Sequence, residues 1–413
     1  MKHKFKLTPI LVITLSYYLL HGIIHNLGHV VTPTFVNQLG LPSFMFGFFF
    51  SSMSLGMLVG APLWGVLGDI KGKKFFILIG LILYSIAQVM FAFFTSPVMM
   101  TFARFLAGFG VSAFMTLMLS HLIGIAPLKE RTKFISISVA LFALGTTIGY
   151  QIGGFMGDFF IREVFYIQAL LNLGWVLFIA LSMKEIPTAL STKKPSFIKH
   201  FKDVTKLSPP LLLFLIGLTL ATISASILSK YFDVYMIDLG YTPRELGTFI
   251  LVTGFVGLFT NAFIVPKLSK LKKDMGIMLG IQIFSAIIVL IVFRSQYFIV
   301  MLYTVFLFYY ALKAMFQPFE QNYISLQAPK EKHGSILGVR HAFFSTGMVI
   351  GPLISGFIYD YNPLLVFDLS VVMFLLAFVF LLIAHKLQTK ASVAKESGNL
   401  GFAYEPVDIT AKD

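Results

Sequence analysis

The stretch Gly65-Val66-Leu67-Gly68-Asp69-Ile70-Lys71-Gly72-Lys73-Lys74 lies between two apolar runs, residues 44–64 and 75–94. Each run is long enough to cross a bilayer, which takes about 20 apolar residues as a helix. The residues between them therefore read as a polar hinge joining two membrane helices. Its glycines permit a tight backbone turn. Asp69 closes the first helix, and Lys71, Lys73 and Lys74 hold the turn at the anionic, cytoplasmic lipid face.

The rest of the chain has the same character. Of its 413 residues, 57% are hydrophobic and 12% charged, and the mean hydropathy is +0.86. A soluble domain has no interior large enough to hide that much apolar surface, whereas a bilayer solvates it. Cysteine is absent, which excludes a disulfide framework and thiolate metal sites. The net charge of +14 falls in short Lys/Arg clusters between apolar runs, as in cytoplasmic loops and not as on a surface that binds nucleic acid. The basic start Met1-Lys2-His3-Lys4-Phe5-Lys6 precedes apolar character that continues to Val36 without a small-residue cleavage site. It is expected to be a retained first span and not a cleaved leader.

Twelve spans are expected, at residues 8–36, 43–66, 74–94, 97–125, 132–157, 163–183, 210–238, 245–266, 275–293, 296–327, 334–358 and 362–385. They make an all-α membrane protein of two six-helix halves, residues 1–183 and 209–386. A cytoplasmic linker, residues 184–208, joins the halves and is rich in Lys and Pro (Lys193-Lys194-Pro195). A polar tail, residues 387–413, is expected to be disordered. An even span count puts both termini on one side. Alternating the loops then places 25 of the 32 Lys and Arg inside and only Arg162, Arg244 and Arg294 outside, so both termini are assigned to the cytoplasm.

The halves repeat. Gly145-x-x-x-Gly149-Tyr150-x-x-Gly153-Gly154 in span five matches Gly347-x-x-x-Gly351-Pro352-x-x-Ser355-Gly356 in span eleven at a shift of 202, which also brings Asp158 onto Asp360. Leu39-Gly40 falls on Leu239-Gly240 and Gly80 on Gly280 at a shift of 200. Two copies of one ancestral unit account for this. The hinge has decayed in the second copy: Val265 and Ser269 stand opposite Gly65 and Asp69, while Lys273 still matches Lys73.

The hinge order Gly-x-Leu-x-Asp-x-x-Gly-Lys-Lys resembles the loop signature of the major facilitator superfamily, which in that family also lies between spans two and three. Arg104-Phe105-Leu106-Ala107-Gly108-Phe109-Gly110 resembles the family's span-four motif around an intramembrane arginine. The span-five glycines resemble the antiporter motif Gly-Pro-x-x-Gly-Gly of drug:proton exporters, with Tyr150 in place of the family proline. The resemblance covers the whole chain, and its nearest form is the twelve-span drug:proton antiporter of Gram-positive bacteria. It implies alternating access around a central cavity lined by spans one, four, seven and ten. It also implies a conformational hinge of Gly65, Asp69, Gly72 and Lys73, in which Asp69 accepts hydrogen bonds from the end of span eleven in one conformation. Gly145, Gly149, Gly153, Gly154, Gly351 and Pro352 let helices approach closely, either for rocking halves or as ordinary tight packing.

A charge inside a span is costly unless paired or wetted, so each is a functional candidate. Arg104 and Lys230 lie in the outer halves of their spans, Lys313 near the midplane of span ten, and Glu320 and Arg340 at similar depth in the inner halves of spans ten and eleven. Glu320 and Arg340 form either a structural ion pair or a proton-carrying carboxylate tuned by its partner. Lys230 and Asp233 are three apart on one face of span seven, where Asp233 either satisfies Lys230 or carries protons. His21, His25 and His29 follow at four-residue steps on one face of span one, with Tyr18 close by. With no carboxylate beside them and no cysteine, they suit a proton-exchanging stripe better than a metal site. By the resemblance, this stripe faces one chamber with Arg104, Lys230 and Lys313. Tyr18, Tyr309 and Gln317 complete the set of substrate-cavity candidates.

No Gly-x-x-x-x-Gly-Lys-Ser/Thr loop occurs, so the drive is an ion gradient or the substrate's own. The expected protein is a secondary transporter and not an enzyme, needing no cofactor or metal and working as a monomer in the cell membrane. It couples protons to export of amphipathic small molecules, with Glu320 first, then the histidines, then Asp233 as proton sites. Basic groups outnumber acidic ones inside the spans, which favours neutral, zwitterionic or anionic substrates. The alternative is uptake or exchange of an organic anion, a sugar-like metabolite or a lipid.

Overall fold

Helices make up all the regular structure among the residues described by the computed structural model, 9–127, 130–185, 207–327 and 333–396. In chain order they are α1 (Pro9–Asn26), α2 (Thr32–Gln38), α3 (Phe44–Lys71), α4 (Lys73–Phe93), α5 (Pro97–Ile125), α6 (Arg131–Gly157) and α7 (Glu163–Ser182). After the linker, whose Lys193-Lys194-Pro195 motif lies outside the described residues, come α8 (Pro209–Asp238), α9 (Pro243–Phe259), a π-helical turn (Thr260–Ile264) and α10 (Val265–Ser269). The chain ends in α11 (Asp274–Arg294), α12 (Phe298–Tyr303), α13 (Val305–Gln327), α14 (His333–Tyr361) and α15 (Pro363–Glu396). Eleven stretches among these are long and apolar enough to cross a membrane. The histidine-bearing α1, of 18 residues, supplies the first span of a twelve-span architecture.

Three expected spans are not single α-helices. Span one stops at Asn26, turns through Leu27–Val31 and resumes as α2, where Pro33 in the first turn lacks an N–H and disfavours helical geometry at Thr32. Span ten is interrupted at Thr304, whose hydroxyl donates to the Val300 carbonyl at 2.6 Å and competes with the backbone ladder. Span eight carries the π-turn just before Pro266, which cannot donate. The last span also runs beyond residue 385 to Glu396. Its extension, rich in Ala, Lys, Gln and Glu, consists of good helix formers, so residues 387–396 are helical and not disordered; residues 397–413 lie outside the described residues.

By their internal contacts the residues group into two compact units. One comprises Met1–Lys194 with Phe232–Phe255, the other Pro195–Tyr231 with Val256–Asp413. In the first, α3 and α4 pack on α5, and α1 packs on α6. Its core is built on Tyr17, Trp64, Phe114 and Trp175. In the second, α11 packs on α13 and α15 around Phe214, Met278, Phe319 and Leu381.

The sequence repeat extends to backbone detail. Gly40 and Gly240 both have positive φ, 63° and 89°. Around each, three amides donate to carbonyls in the same pattern: Leu39 to Phe35, Gly40 to Asn37 and Leu41 to Val36, against Leu239 to Tyr235, Gly240 to Ile237 and Tyr241 to Met236. This is the glycine-closed helix end that left-handed geometry favours. The helix contacts repeat too. Gly149 of α6 lies against the backbone of Ile23 in α1, and Gly351 of α14 against that of Ile223 in α8.

Candidate functional site

In the first unit, the break in span one sets the chemistry. Because the chain turns after Asn26, the His29 amide donates to the Asn26 carbonyl (3.3 Å) and not four residues back to His25. Side chains take over. Gln168 of α7 donates its amide to the carbonyls of Ile24 (2.7 Å) and His25 (2.8 Å), and the Tyr84 hydroxyl of α4 also donates to His25 (3.3 Å). Gln88 donates to Gln168 Oε1 (2.7 Å) and to Tyr84 Oη (2.6 Å). Arg104 completes the network, giving Nη2 to Thr32 Oγ1 (3.0 Å) and Nη1 to Gln88 Oε1 (3.4 Å), with its guanidinium 3.6 Å from the centre of the Phe91 ring. All of these side chains are buried. Arg104 thus meets neutral oxygens and an aromatic face, an arrangement that suits a delocalised, weakly hydrated cation.

Tyr84, Gln88, Thr32 and Gln168 were not singled out from the sequence. The available signal was two glutamines inside apolar spans, 80 residues apart, with no charge to draw attention to them.

The three histidines form a ladder alongside this network. His21 and His25 stack with ring centres 5.4 Å apart, and His25 meets His29 at 5.1 Å, nearly edge-on. His29 lies in the turn itself. His21 is 1% exposed and stacked 3.9 Å from Phe114, and neither of its ring nitrogens has a hydrogen-bond partner among the described residues. Buried polar atoms of this kind are ordinarily bonded to water or a ligand. Tyr18 is buried one turn away, its ring edge-on with that of Phe114 at 6.0 Å between centres. No group of three metal-binding side chains comes together among the described residues.

In the second unit, Arg340 of α14 holds Glu320 of α13 through two parallel bonds, Nε to Oε1 at 2.8 Å and Nη2 to Oε2 at 2.6 Å. Glu320 is fully buried and Arg340 is 7% exposed. Fork-to-carboxylate geometry makes this a strong charge-assisted pair. Lys313 lies 5.6 Å from the Tyr310 ring, half-buried on α13. Tyr309 is buried and stacked on Phe306 at 5.2 Å, whereas Gln317 is exposed. Lys230 and Asp233 of α8 are both buried and fall in different units.

At the hinge, the turn is narrower than the motif. Gly65 and Gly68 are inside α3, and the reversal rests on Gly72 alone, at φ 97° and ψ 148°. A side chain at Gly65 would meet nothing closer than 3.7 Å, so packing does not require glycine there. Asp69 is exposed at the end of α3. Glu185, just past α7, accepts hydrogen bonds from the amides of Lys73 (2.8 Å) and Lys74 (2.9 Å). It thereby satisfies two open donors at the start of α4. Lys73 is buried, with Nζ 3.4 Å from the Ser120 carbonyl.

The glycine positions of span five line close helix contacts. Gly145 and Gly149 face the backbone of α1 at Leu19 and Ile23, Gly153 faces that of Leu27 in the turn after it, and Gly154 faces Pro243 at the start of α9. Beside it, Asp158 and Arg244 form an ion pair at 3.6 Å. Pro352 lies within α14.

A family model and three known proteins share features with this chain. The model of the Major Facilitator Superfamily matches residues 11–310 and 271–406. The chain is 26% identical over 338 residues to the quinolone resistance protein NorA of Staphylococcus aureus (strain MSSA476), covering 80% of this chain and 84% of that one. It is 25% identical over 344 residues, at the same coverage, to multidrug resistance protein 2 of Bacillus subtilis (strain 168). The solved structure of the nucleoside transporter NupG shares the fold, with a TM-score of 0.75 over 92% of this chain and 99% of that one at 16% identity.

Proposed function

This chain belongs to the major facilitator superfamily, and from that premise we propose that it exports amphipathic small molecules in exchange for protons by alternating access. The observation that carries the reading is Glu320, a fully buried carboxylate in a membrane span whose two oxygens are both held by Arg340. Such a group binds a proton when its arginine withdraws and releases it when the arginine returns, so protonation follows conformation. Relatives named for quinolone and multidrug resistance support a drug-like cargo. The histidine ladder and Asp233 are further proton positions in this scheme. Lys230, Lys313, Tyr18, Tyr309 and Gln317 are the cavity positions, and the Gly72 turn, with Gly65, Asp69 and Lys73, is the hinge. The protein acts as a monomer, without cofactor, in the cell membrane with both termini in the cytoplasm.

A second reading is transport of organic anions, favoured by Arg104, Lys230 and Lys313 standing within spans. Purified protein in liposomes with an imposed pH gradient separates the two. The test substrates are a quinolone, ethidium as a cation and fluorescein as an anion. Antiport releases protons from the lumen when the quinolone or ethidium is supplied. Fluorescein flux that is indifferent to the pH gradient, with no response to the others, would establish the second reading instead.

A further inference from the structure

The first unit carries an open groove of about 800 Å³ on its surface that none of the foregoing uses. It opens among the end of α2, the loop from α6 to α7 and the start of α9, on the side of Arg162 and Arg244 and away from the basic loop clusters. Its size is that of a small-molecule pocket. Phe35, Phe159, Phe160 and Pro243 supply apolar surface, and Phe159 and Phe160 are 69% and 50% exposed. The Thr34 hydroxyl oxygen on its wall is buried without a hydrogen-bond partner among the described residues.

The charges on the wall identify the ligand. Three ionisable groups line the groove: Asp158, Arg162 and Glu163. Asp158 is already neutralised by Arg244 at 3.6 Å. Arg162 and Glu163 are consecutive residues of opposite sign, and neither makes an ion pair among the described residues; Arg162 only overlies the Phe35 ring, at 5.7 Å. The wall therefore offers one cation and one anion side by side, next to exposed phenyl rings. We propose that this groove binds a zwitterionic amphiphile, its acidic group on Arg162, its ammonium on Glu163 and its apolar part against Phe159 and Phe160.

Two sources share that chemistry, a zwitterionic phospholipid headgroup and a soluble aromatic zwitterion. Binding to the purified full-length protein would be measured by calorimetry with dihexanoylphosphatidylethanolamine and with 4-(aminomethyl)benzoic acid. Monopolar controls are dihexanoylphosphatidylglycerol, benzoate and benzyltrimethylammonium. At least one zwitterion should bind about tenfold or more tightly than every monopolar probe, as expected when two charged contacts are made instead of one. Whichever zwitterion binds identifies the source. Arg162→Gln and Glu163→Gln should each remove that preference, while Lys390→Gln, at an exposed position near the end of α15, leaves it intact. Equal binding of zwitterions and monopolar probes by the unaltered protein, or no binding of either zwitterion, overturns the proposal without reference to any variant. This site is independent of the proton-exchange reading, because its test measures binding and not flux.

Discussion

Gln168 Nε2 donates to the carbonyl oxygen of His25 at 2.8 Å, closing from α7 a gap that span one opens in its own backbone. This bond is partly buried, and the same amide makes a fully buried bond to the Ile24 carbonyl at 2.7 Å. Replacing Gln168 by Leu takes this donor from the Ile24 carbonyl and leaves His25 only the longer bond from Tyr84 at 3.3 Å, and an orphaned buried group costs about 1–3 kcal/mol. Gln168→Leu should therefore lower thermal stability clearly, and Gln168→Glu as well, since a carboxylate has no hydrogen to give. If both variants melt with the parent, another donor serves the break and the network has been misassigned.

Glu320 and Arg340 permit a sharper test. Removing one partner of a buried pair strands the other charge and costs about 3–5 kcal/mol, while removing both can be tolerated. Glu320→Gln alone should destabilise the protein, and adding Arg340→Gln should restore most of that loss. Proton flux decides the function: under the antiport reading the double variant is stable yet moves substrate without protons. A stable double variant with unchanged proton exchange would confine the pair to architecture.

How much of this was legible beforehand depends on what kind of interaction is concerned. Hydropathy marks the spans because the bilayer imposes one length and one polarity on every helix that crosses it. The Glu320–Arg340 pair was visible as two charges at equal depth, since buried charge has few places to go. The break at Leu27–Val31 was not, because a hydropathy window sees side chains and the break concerns which group receives each backbone donor. Gln88 and Gln168 escaped notice for the same reason: neutral amides can lie in a span without any sequence signal of their partners. The zwitterionic pair Arg162–Glu163 was read only as one outside arginine, because the loop that folds it against α2 is a long-range arrangement.

The repeated glycine contacts differ in what surrounds them. At Gly149 an added methyl would press on backbone atoms of Ile23, which move only if α1 moves. At Gly351 the first obstacle is the Ser226 hydroxyl, a side chain able to rotate, with the Ile223 carbonyl next at 2.9 Å. Gly149→Ala should cost about 1–3 kcal/mol as an overpacked contact, and Gly351→Ala distinctly less. Paired thermal denaturation of the two variants checks this, and a larger loss at Gly351 would mean the second copy packs more rigidly than its contacts indicate.

The last expectation concerns the two hinge turns, which the repeat places at Gly72 and Lys272. Gly72 adopts φ 97° with ψ 148°, a region open in practice only to glycine. A Cβ there would also sit 3.2 Å from Glu185 Cδ, crowding the carboxylate that holds the amides of Lys73 and Lys74. Lys272 has a positive φ as well, 52°, but within the left-handed well that other residues enter at modest cost. Changing the residue at each turn should thus have unlike effects. Gly72→Ala should destabilise by roughly 1–3 kcal/mol, and Glu185→Gln by about 1 kcal/mol through loss of a charged helix cap. Lys272→Gly should be neutral or slightly stabilising, because relief of the left-handed strain offsets the added freedom of the unfolded chain. If Gly72→Ala is harmless while Lys272→Gly unfolds the protein, then strain does not govern these turns, and Lys272 is held by contacts of its side chain instead.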